Sequence, residues 1–156
     1  MSERNARPSR VTVEAPGRLH FGILDLRGHR GRWFGGIGAA VPTPSVRLEA
    51  IPASQLTAVG PEAARALEFA ERYAAAAGLP GGAHITIQRV IPAHVGLGSG
   101  TQLGLSVARA LAELYGQPSD PQTLATAVGR GQRSAIGTWT FALGGFVLEG
   151  GRRRGD

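Results

Sequence analysis

The chain has 156 residues, enough to bury one hydrophobic core, so we expect one domain or one half of a larger protein. A hydrophobic content of 42% with 18% charged residues is typical of a soluble globular protein, and the absence of cysteine excludes disulfides, thiolate zinc sites and iron–sulfur clusters. All 17 basic residues are arginine, which gives a formal net charge of +6 and a pI near 11.3.

This basic charge raises nucleic acid as a partner, but its distribution favours a small anion. Arginines are frequent within residues 4–10 and 152–154, where basic runs are usually solvated tails, and aromatic residues make up only 6% of the chain. The interior carries a basic cluster that fits a small polyanionic substrate better: Arg27, His29, Arg30 and Arg32. No run is long enough to span a bilayer and the N-terminus has no apolar signal core, so we expect a cytoplasmic protein without a membrane partner. A homo-oligomer is left open.

The first predicted elements form a hairpin. Residues 11–15 alternate as a strand, Pro16 and Gly17 predict a turn, and residues 18–26 read as the second strand. The polar residues of this second strand are Arg18, His20 and Asp25, and they allow two interpretations. Either they converge on a ligand, or they form a solvated strand face on which Asp25 begins the turn. The residues alone favour the solvated face.

The next stretch is predicted to run from a surface loop through two strands to a helix. Residues 27–36 are basic and glycine-rich, and their Trp33–Phe34 pair is interpreted either as an aromatic lid or as a buried anchor. Strands are predicted at 37–41 and 45–51. The alanine-rich segment 62–77 predicts a helix that ends at Gly78.

The most informative stretch joins a predicted strand at 83–90 to a predicted helix that ends at Gly116. Between them, three glycines fall within five residues, and Ser99 or Thr101 is expected to cap the helix. The free N–H groups and the dipole of such a helix end favour an anion, most naturally a phosphate.

The absence of lysine excludes two common phosphate sites. A Walker A loop needs a lysine after its last glycine, and protein kinases need one on a strand. The dinucleotide-binding fingerprint fails as well, because Thr101 stands where its last glycine or alanine is required.

The rest of the chain predicts a further helix, a second loop and a closing strand. Asp120 and Pro121 are typical of a helix start, and the helix is expected to reach about Val128. Residues 129–138 are predicted to form a second glycine-rich, hydroxyl-bearing loop, and residues 144–151 a closing strand. The order of elements predicts an α+β domain with helices on one face of a sheet.

Three stretches resemble the GHMP kinase superfamily. Residues 15–22 (APGRLHFG) resemble its opening substrate motif, and residues 92–101 resemble its phosphate loop, with Ser-Gly-Thr where Ser-Ser-Ala is usual. Residues 130–138 fall where those kinases carry Ser-Gly-Ile-Asp, whose aspartate activates the substrate hydroxyl. The aligned position here is Gly137, so a phosphoryl-transfer base is missing.

The resemblance implies a domain organisation. It predicts the ribosomal-protein-like βαβ fold of the GHMP N-terminal domain, with a mixed sheet, over residues 11–151. Residues 1–10 are then a basic tail, and residues 152–156 a second basic tail or a truncation point. Members of the superfamily normally carry a second, C-terminal domain, and this chain stops after the first.

The departure at Gly137, together with residues 19–26 and 144–147, resembles one branch, the β-ribofuranosylaminobenzene 5'-phosphate synthases. The reaction this branch implies is a pentosyl transfer in tetrahydromethanopterin biosynthesis. It joins phosphoribosyl pyrophosphate to 4-aminobenzoate and releases carbon dioxide and pyrophosphate. Stabilising the leaving pyrophosphate is an electrostatic task that needs no carboxylate base.

The site residues follow from the motifs and the resemblance. Phosphate is assigned to the loop and helix start, namely Gly96, Gly98, Ser99, Gly100 and Thr101. Substrate is assigned to Arg18, Asp25, Arg133, Ser134 and Thr138. His20 is the candidate for protonating the ring carbon that loses carbon dioxide, beside the alternative of a structural strand histidine.

Two other function classes are kept open. The first is an ATP-dependent small-molecule kinase, which the loop supports and Gly137 opposes; the second is a non-catalytic basic domain that binds RNA or a protein partner. The expected partner is a small phosphorylated molecule. Mg²⁺ is implied by the pyrophosphate donor, but no metal ligands can be assigned. No organic cofactor is expected, and ATP would be a substrate only in the kinase alternative.

Overall fold

The computed structural model describes residues 7–29, 31–131 and 135–153. In chain order its elements are β1 (Val11–Asp25), β2 (Arg32–Ala53), β3 (Thr57–Val59), α1 (Ala63–Ala77), β4 (Gly82–Arg89), α2 (Ser99–Tyr115), α3 (Pro121–Ala127), α4 (Ile136–Leu143), β5 (Phe146–Glu149) and β6 (Arg152–Arg153).

One sheet organises the described chain, and the long strand β2 lies at its centre. β1 and β4 pair antiparallel with opposite sides of β2, and β3 adds to β4 in parallel. β5 and β6 pair antiparallel with the first half of β2. The sheet is therefore mixed, as predicted.

The helices pack on the sheet around a single core. α2 contacts β1 and β2, while α1 and α3 pack against α2 and α4 packs against β1, β2 and β5. α2 is the central helix because it buries residues on nearly every side, including Leu105, Val107 and Leu111. The prediction of an α+β domain with helices on a mixed sheet is confirmed.

The predicted hairpin at Pro16–Gly17 is wrong. β1 runs straight through these residues as one strand, and its pairing with β2 shifts register between Pro16 and Gly17. A Cβ on Gly17 would lie 3.2 Å from the carbonyl oxygen of Pro44, so the glycine allows a bulge where the two backbones approach closely. β2 likewise continues through residues 42–44, which had been predicted to separate two strands.

The predicted surface loop at 27–36 is shorter than expected. β2 already begins at Arg32, so the two aromatic residues belong to a strand. The half-buried Trp33 packs on the preceding turn, where a Cβ on Gly28 would lie 3.2 Å from its ring. This contact favours the interpretation of Trp33 as an anchor over that of a lid.

Two further differences concern the C-terminal part. The second glycine-rich loop was predicted to reach residue 138, but helix α4 begins at Ile136. A basic tail was predicted from residue 152, but Arg152 and Arg153 form a short strand that pairs with Trp33 and Arg32 of β2. None of the helices in the described ranges has the length and apolar character needed to cross a membrane.

Candidate functional site

The loop between β4 and α2 turns through three left-handed residues. His94, Gly96 and Gly98 have φ angles of 61°, 81° and 73°. The predicted side-chain cap is wrong: Gly98 is the N-cap, and its carbonyl accepts hydrogen bonds of 3.0 Å from the N–H groups of Thr101 and Gln102. The hydroxyls of Ser99 and Thr101 therefore do not cap the helix, and both residues line a cavity at its N-terminus.

Arg18 of β1 fastens this loop to the sheet. Its backbone N–H donates to the carbonyl of Leu97 at 2.9 Å, and its guanidinium Nη1 donates to the carbonyl of Gly96, also at 2.9 Å. Burial lowers the pKa of Arg18, and its Nε is buried without a hydrogen-bond partner among the described residues. Such a group is costly unless an anion joins it.

Two more arginines reach the same place from α1 and from the loop after α3. Arg65 and Arg130 lie over the buried ring of Phe69, at 5.9 Å and 5.2 Å from its centroid. Both guanidinium groups lie over Gly100, where a Cβ would contact Arg65 and lie 3.3 Å from Nη2 of Arg130. Glu62 pairs with Arg65 at 3.6 Å. Burial and the charges of Arg65 and Arg72 lower the pKa of Arg130, whose Nε also lacks a hydrogen-bond partner within the described ranges.

These groups enclose a cavity of about 260 Å³. Its described lining consists of His94, of the five residues predicted to bind phosphate, and of the three arginines Arg18, Arg65 and Arg130. Like charges held this close repel each other, and the helix dipole adds to the positive potential. The arrangement is therefore suited to a polyanion such as pyrophosphate.

Position 137 faces this site from α4. A Cβ on Gly137 would lie 3.0 Å from Cγ2 of Thr101 and 3.8 Å from Nε of Arg18. The buried Gln102 holds the start of α4 in place, since its Nε2 donates to the carbonyl of Gly137 at 2.9 Å. An aspartate at this position would thus stand beside Arg18, where the glycine leaves that arginine unpaired at Nε.

Arg130 also lines a second cavity, of about 820 Å³. Thr138, predicted to contact substrate, lines it together with Trp139, Glu149 and Arg152. Thr138 is 2% exposed, and its hydroxyl has no hydrogen-bond partner in the part of the chain that the structure describes.

Two of the other predicted residues, His20 and Asp25, line neither cavity. His20 lies on β1 with its ring over Gly36, and the N–H of Gly22 donates to its Nδ1 at 3.2 Å. Burial and Arg18 lower the pKa of His20, while Glu149 raises it. Asp25 ends β1, and its Oδ1 accepts from the N–H groups of Arg27 and Gly28, the turn role that the residues alone favoured. Arg133 and Ser134 fall outside the described residues.

Sequence reasoning missed Arg65, Arg130, Gln102 and Glu149. Arg130 opens the second glycine-rich loop and carried a usable signal, because a basic residue beside glycines often contacts an anion. Arg65 looks like an ordinary solvent-facing arginine of an alanine-rich helix, and only the packing of α1 on α2 brings it to the loop.

The described residues do not fit a protein-held Mg²⁺ at the phosphate cavity. Within the described ranges no cluster of three metal-binding side chains occurs, and the described lining of this cavity contains no carboxylate. Mg²⁺ in proteins is usually held by one or two carboxylates together with substrate phosphates.

Comparison with known proteins places this geometry in a family. The family description "GHMP kinases N terminal domain" matches residues 63–145. Solved structures with the same fold include a 4-(cytidine 5'-diphospho)-2C-methyl-D-erythritol kinase, at 28% identity and a TM-score of 0.66 over 92% of this chain and 53% of that chain. The Streptococcus pneumoniae phosphomevalonate kinase reaches a TM-score of 0.67 at 19% identity, over 90% of this chain and 48% of that chain.

Curated relatives include two proteins named beta-ribofuranosylphenol 5'-phosphate synthase. The one from Archaeoglobus fulgidus is 38% identical over 90% of this chain and 45% of its own length. The one from Methanothermobacter thermautotrophicus is 39% identical over 90% of this chain and 46% of its own length. The chain thus spans about half the length of these relatives, and the resemblance predicted from the sequence is confirmed. Since the family match covers more than half of its residues, the chain belongs to the GHMP kinases N-terminal domain family.

Proposed function

We propose that the chain forms the donor site of a ribosyl 5-phosphate transferase that uses phosphoribosyl pyrophosphate and a para-substituted benzoate. A ring carbon forms a bond to the ribose C1, and the bond between C1 and the pyrophosphate oxygen breaks. The bond from that ring carbon to the carboxylate then breaks, carbon dioxide leaves, and its electron pair restores the aromatic ring. The names of the relatives describe a ribosylated phenol, so the acceptor class includes 4-hydroxybenzoate beside the 4-aminobenzoate expected from the sequence.

The observation that carries this proposal is that Gly137, which has no carboxylate, lies beside Arg18. In a kinase of this superfamily the resemblance places a catalytic aspartate at position 137. Here the glycine leaves Arg18 Nε without a partner and leaves three arginines around one cavity. Pyrophosphate leaving from a ribose needs such positive charge where its negative charge develops, and it needs no base.

This chemistry changes the role expected of His20. The ring carbon that loses carbon dioxide becomes bonded to ribose, so it takes up no proton. Because the N–H of Gly22 donates to Nδ1, the neutral ring carries its proton on Nε2. The lowered pKa favours this neutral form, so we propose that His20 does not act as the acid expected from the sequence.

Any Mg²⁺ in the reaction would then come with the donor, held by its pyrophosphate oxygens. This fits the described lining of the phosphate cavity, which offers guanidinium groups rather than carboxylates.

The test is calorimetric titration of the chain with phosphoribosyl pyrophosphate, with ATP and with a short RNA, each with and without Mg²⁺. We expect phosphoribosyl pyrophosphate to bind most tightly. Gly137→Asp should weaken its binding about tenfold or more, because a carboxylate beside Arg18 neutralises the site and repels the ligand.

Gly137→Ala is the matched control, since it adds the same Cβ near Thr101 without the charge. It should keep most of the affinity. Tighter binding of ATP, combined with unchanged donor binding by Gly137→Asp, would instead support a kinase, and tightest binding of RNA would support the non-catalytic alternative.

A further inference from the structure

The larger cavity beside Arg130 has the features of a second ligand site. It shares Arg130 with the phosphate cavity, so the two spaces adjoin at this residue. Its volume of about 820 Å³ falls in the range of small-molecule sites.

A buried hydroxyl in its wall lacks a partner. Thr138 is 2% exposed, and its Oγ1 makes no hydrogen bond within the described part of the chain. The other buried threonine of α4 behaves differently, because Thr140 Oγ1 donates to the carbonyl of Ile136 at 2.8 Å. A buried hydroxyl without a hydrogen bond is unfavourable unless a ligand supplies a hydrogen-bond partner.

The charged and aromatic side chains of the described lining are two arginines, one carboxylate and one indole. Arg152 is held at one side by its bond of 2.8 Å to the carbonyl of Gly131. Glu149 is held by the N–H of Ala135, which donates to its Oε2 at 3.0 Å. Trp139 adds an aromatic residue to the same lining.

This combination disfavours a second phosphate and favours an aromatic acid. A phosphate dianion would meet Glu149 beside the two arginines and would gain nothing from an indole, whereas the single charge of a benzoate is repelled less by that carboxylate. A benzoate with a para hydroxyl or amino group has one anionic end for an arginine, a flat body for the indole, and one donor end for a carboxylate.

We propose that the cavity lined by Thr138, Trp139, Glu149 and Arg152 binds the aromatic carboxylate acceptor, next to the donor pyrophosphate at Arg130. This assignment rests on the proposed transferase function and names the place of its second substrate. It makes Thr138 a contact of the acceptor rather than of the donor.

Tryptophan fluorescence gives a direct test, because the chain has two tryptophans and only Trp139 lines this cavity among the described residues. In a Trp33→Phe protein the signal comes from Trp139 alone. We expect saturable quenching by 4-hydroxybenzoate and weaker quenching by phenol, which lacks the carboxylate. Ribose 5-phosphate should cause none.

Thr138→Val keeps the side-chain shape and removes the unpaired hydroxyl. It should fold normally by circular dichroism and weaken 4-hydroxybenzoate binding about three- to tenfold. Thr140→Val is the matched control on the same helix and should leave this affinity unchanged.

Calorimetry on the same proteins separates the two proposals. If phosphoribosyl pyrophosphate binds and 4-hydroxybenzoate binds without changing Trp139 fluorescence, the acceptor lies elsewhere and the proposed function stands. Quenching by ribose 5-phosphate in place of 4-hydroxybenzoate would assign the cavity to the donor. If neither phosphoribosyl pyrophosphate nor 4-hydroxybenzoate binds, the proposed function itself is wrong.

Discussion

At the scale of single residues, the site depends on glycines that leave room for arginines. Gly98 combines a φ of 73° with a close approach to Arg18, since a Cβ there would lie 2.9 Å from Arg18 Cγ. Gly96 has a similar φ of 81°, but a Cβ on it would meet nothing within 4 Å. Substitutions at both positions would strain the backbone, but only a substitution at Gly98 would also move the Arg18 side chain.

We predict that Gly98→Ala and Gly96→Ala both destabilise the fold through the left-handed backbone and that they differ in binding. An alanine in the left-handed region costs about 1–2 kcal/mol in either case. Only Gly98→Ala displaces Arg18, so only this variant should lose pyrophosphate binding. Thermal unfolding and calorimetry measure the two effects, and equal pyrophosphate affinities in the two variants would show that Arg18 is not part of the anion site.

At the scale of elements, α3 is stabilised at its start by a side-chain cap. Asp120 accepts a hydrogen bond of 2.9 Å from the N–H of Thr123, and Pro121 occupies the first helical position. This hydrogen bond lowers the pKa of Asp120 below its ordinary value of 3.8. Because the folded-state pKa is the lower one, the stabilisation is present above 3.8 and is lost as the pH falls through the folded-state value.

We therefore predict that Asp120→Ala lowers the melting temperature near neutral pH, and that this difference from the wild type shrinks in acid. Asp120→Asn is the control, because asparagine caps helices but does not titrate. It should keep most of the neutral stability and show no loss of the cap in acid. A constant difference between wild type and Asp120→Ala from neutral pH down to below the folded-state pKa would contradict the capping role.

The elements also show which parts of the fold could be predicted. α2 and α3 follow from apolar periodicity and from end signals such as Gly116 and Asp120, which are local. α4 does not, because its sequence is apolar almost throughout, with no capping side chain and with β-branched and aromatic residues. It forms a helix where Gly38 of β2 leaves room for Ile136.

The candidate site also has one part that could be predicted from the sequence and one part that could not. Its loop is continuous in sequence, so glycine spacing was enough to predict it. Arg65 and Arg130 are distant in sequence, and only the packing of α1 and of the loop after α3 against α2 brings them over Phe69. Contacts of this kind depend on the tertiary fold and leave no local pattern.

At the scale of the whole molecule, the net charge of +6 offers a competing explanation for any anion binding. A general positive field acts on an anion through every arginine, whereas the cavity acts through three. Arg130 lies in the cavity with an unpaired Nε, while Arg109 pairs with Glu113 at 2.8 Å and does not line it. Replacing either one with glutamine changes the net charge by the same amount.

We predict that Arg130→Gln weakens pyrophosphate binding about tenfold or more, since a hydrogen bond to a charged group contributes about 1.5–3 kcal/mol. Arg109→Gln should change the affinity little, because its charge is balanced locally and screened over distances beyond about 10 Å at 0.1 M salt. Calorimetry with pyrophosphate at two salt concentrations makes the comparison. Equal losses in the two variants, both disappearing at high salt, would show that the field of the whole chain binds the anion and that the arginine cavity is not a specific site.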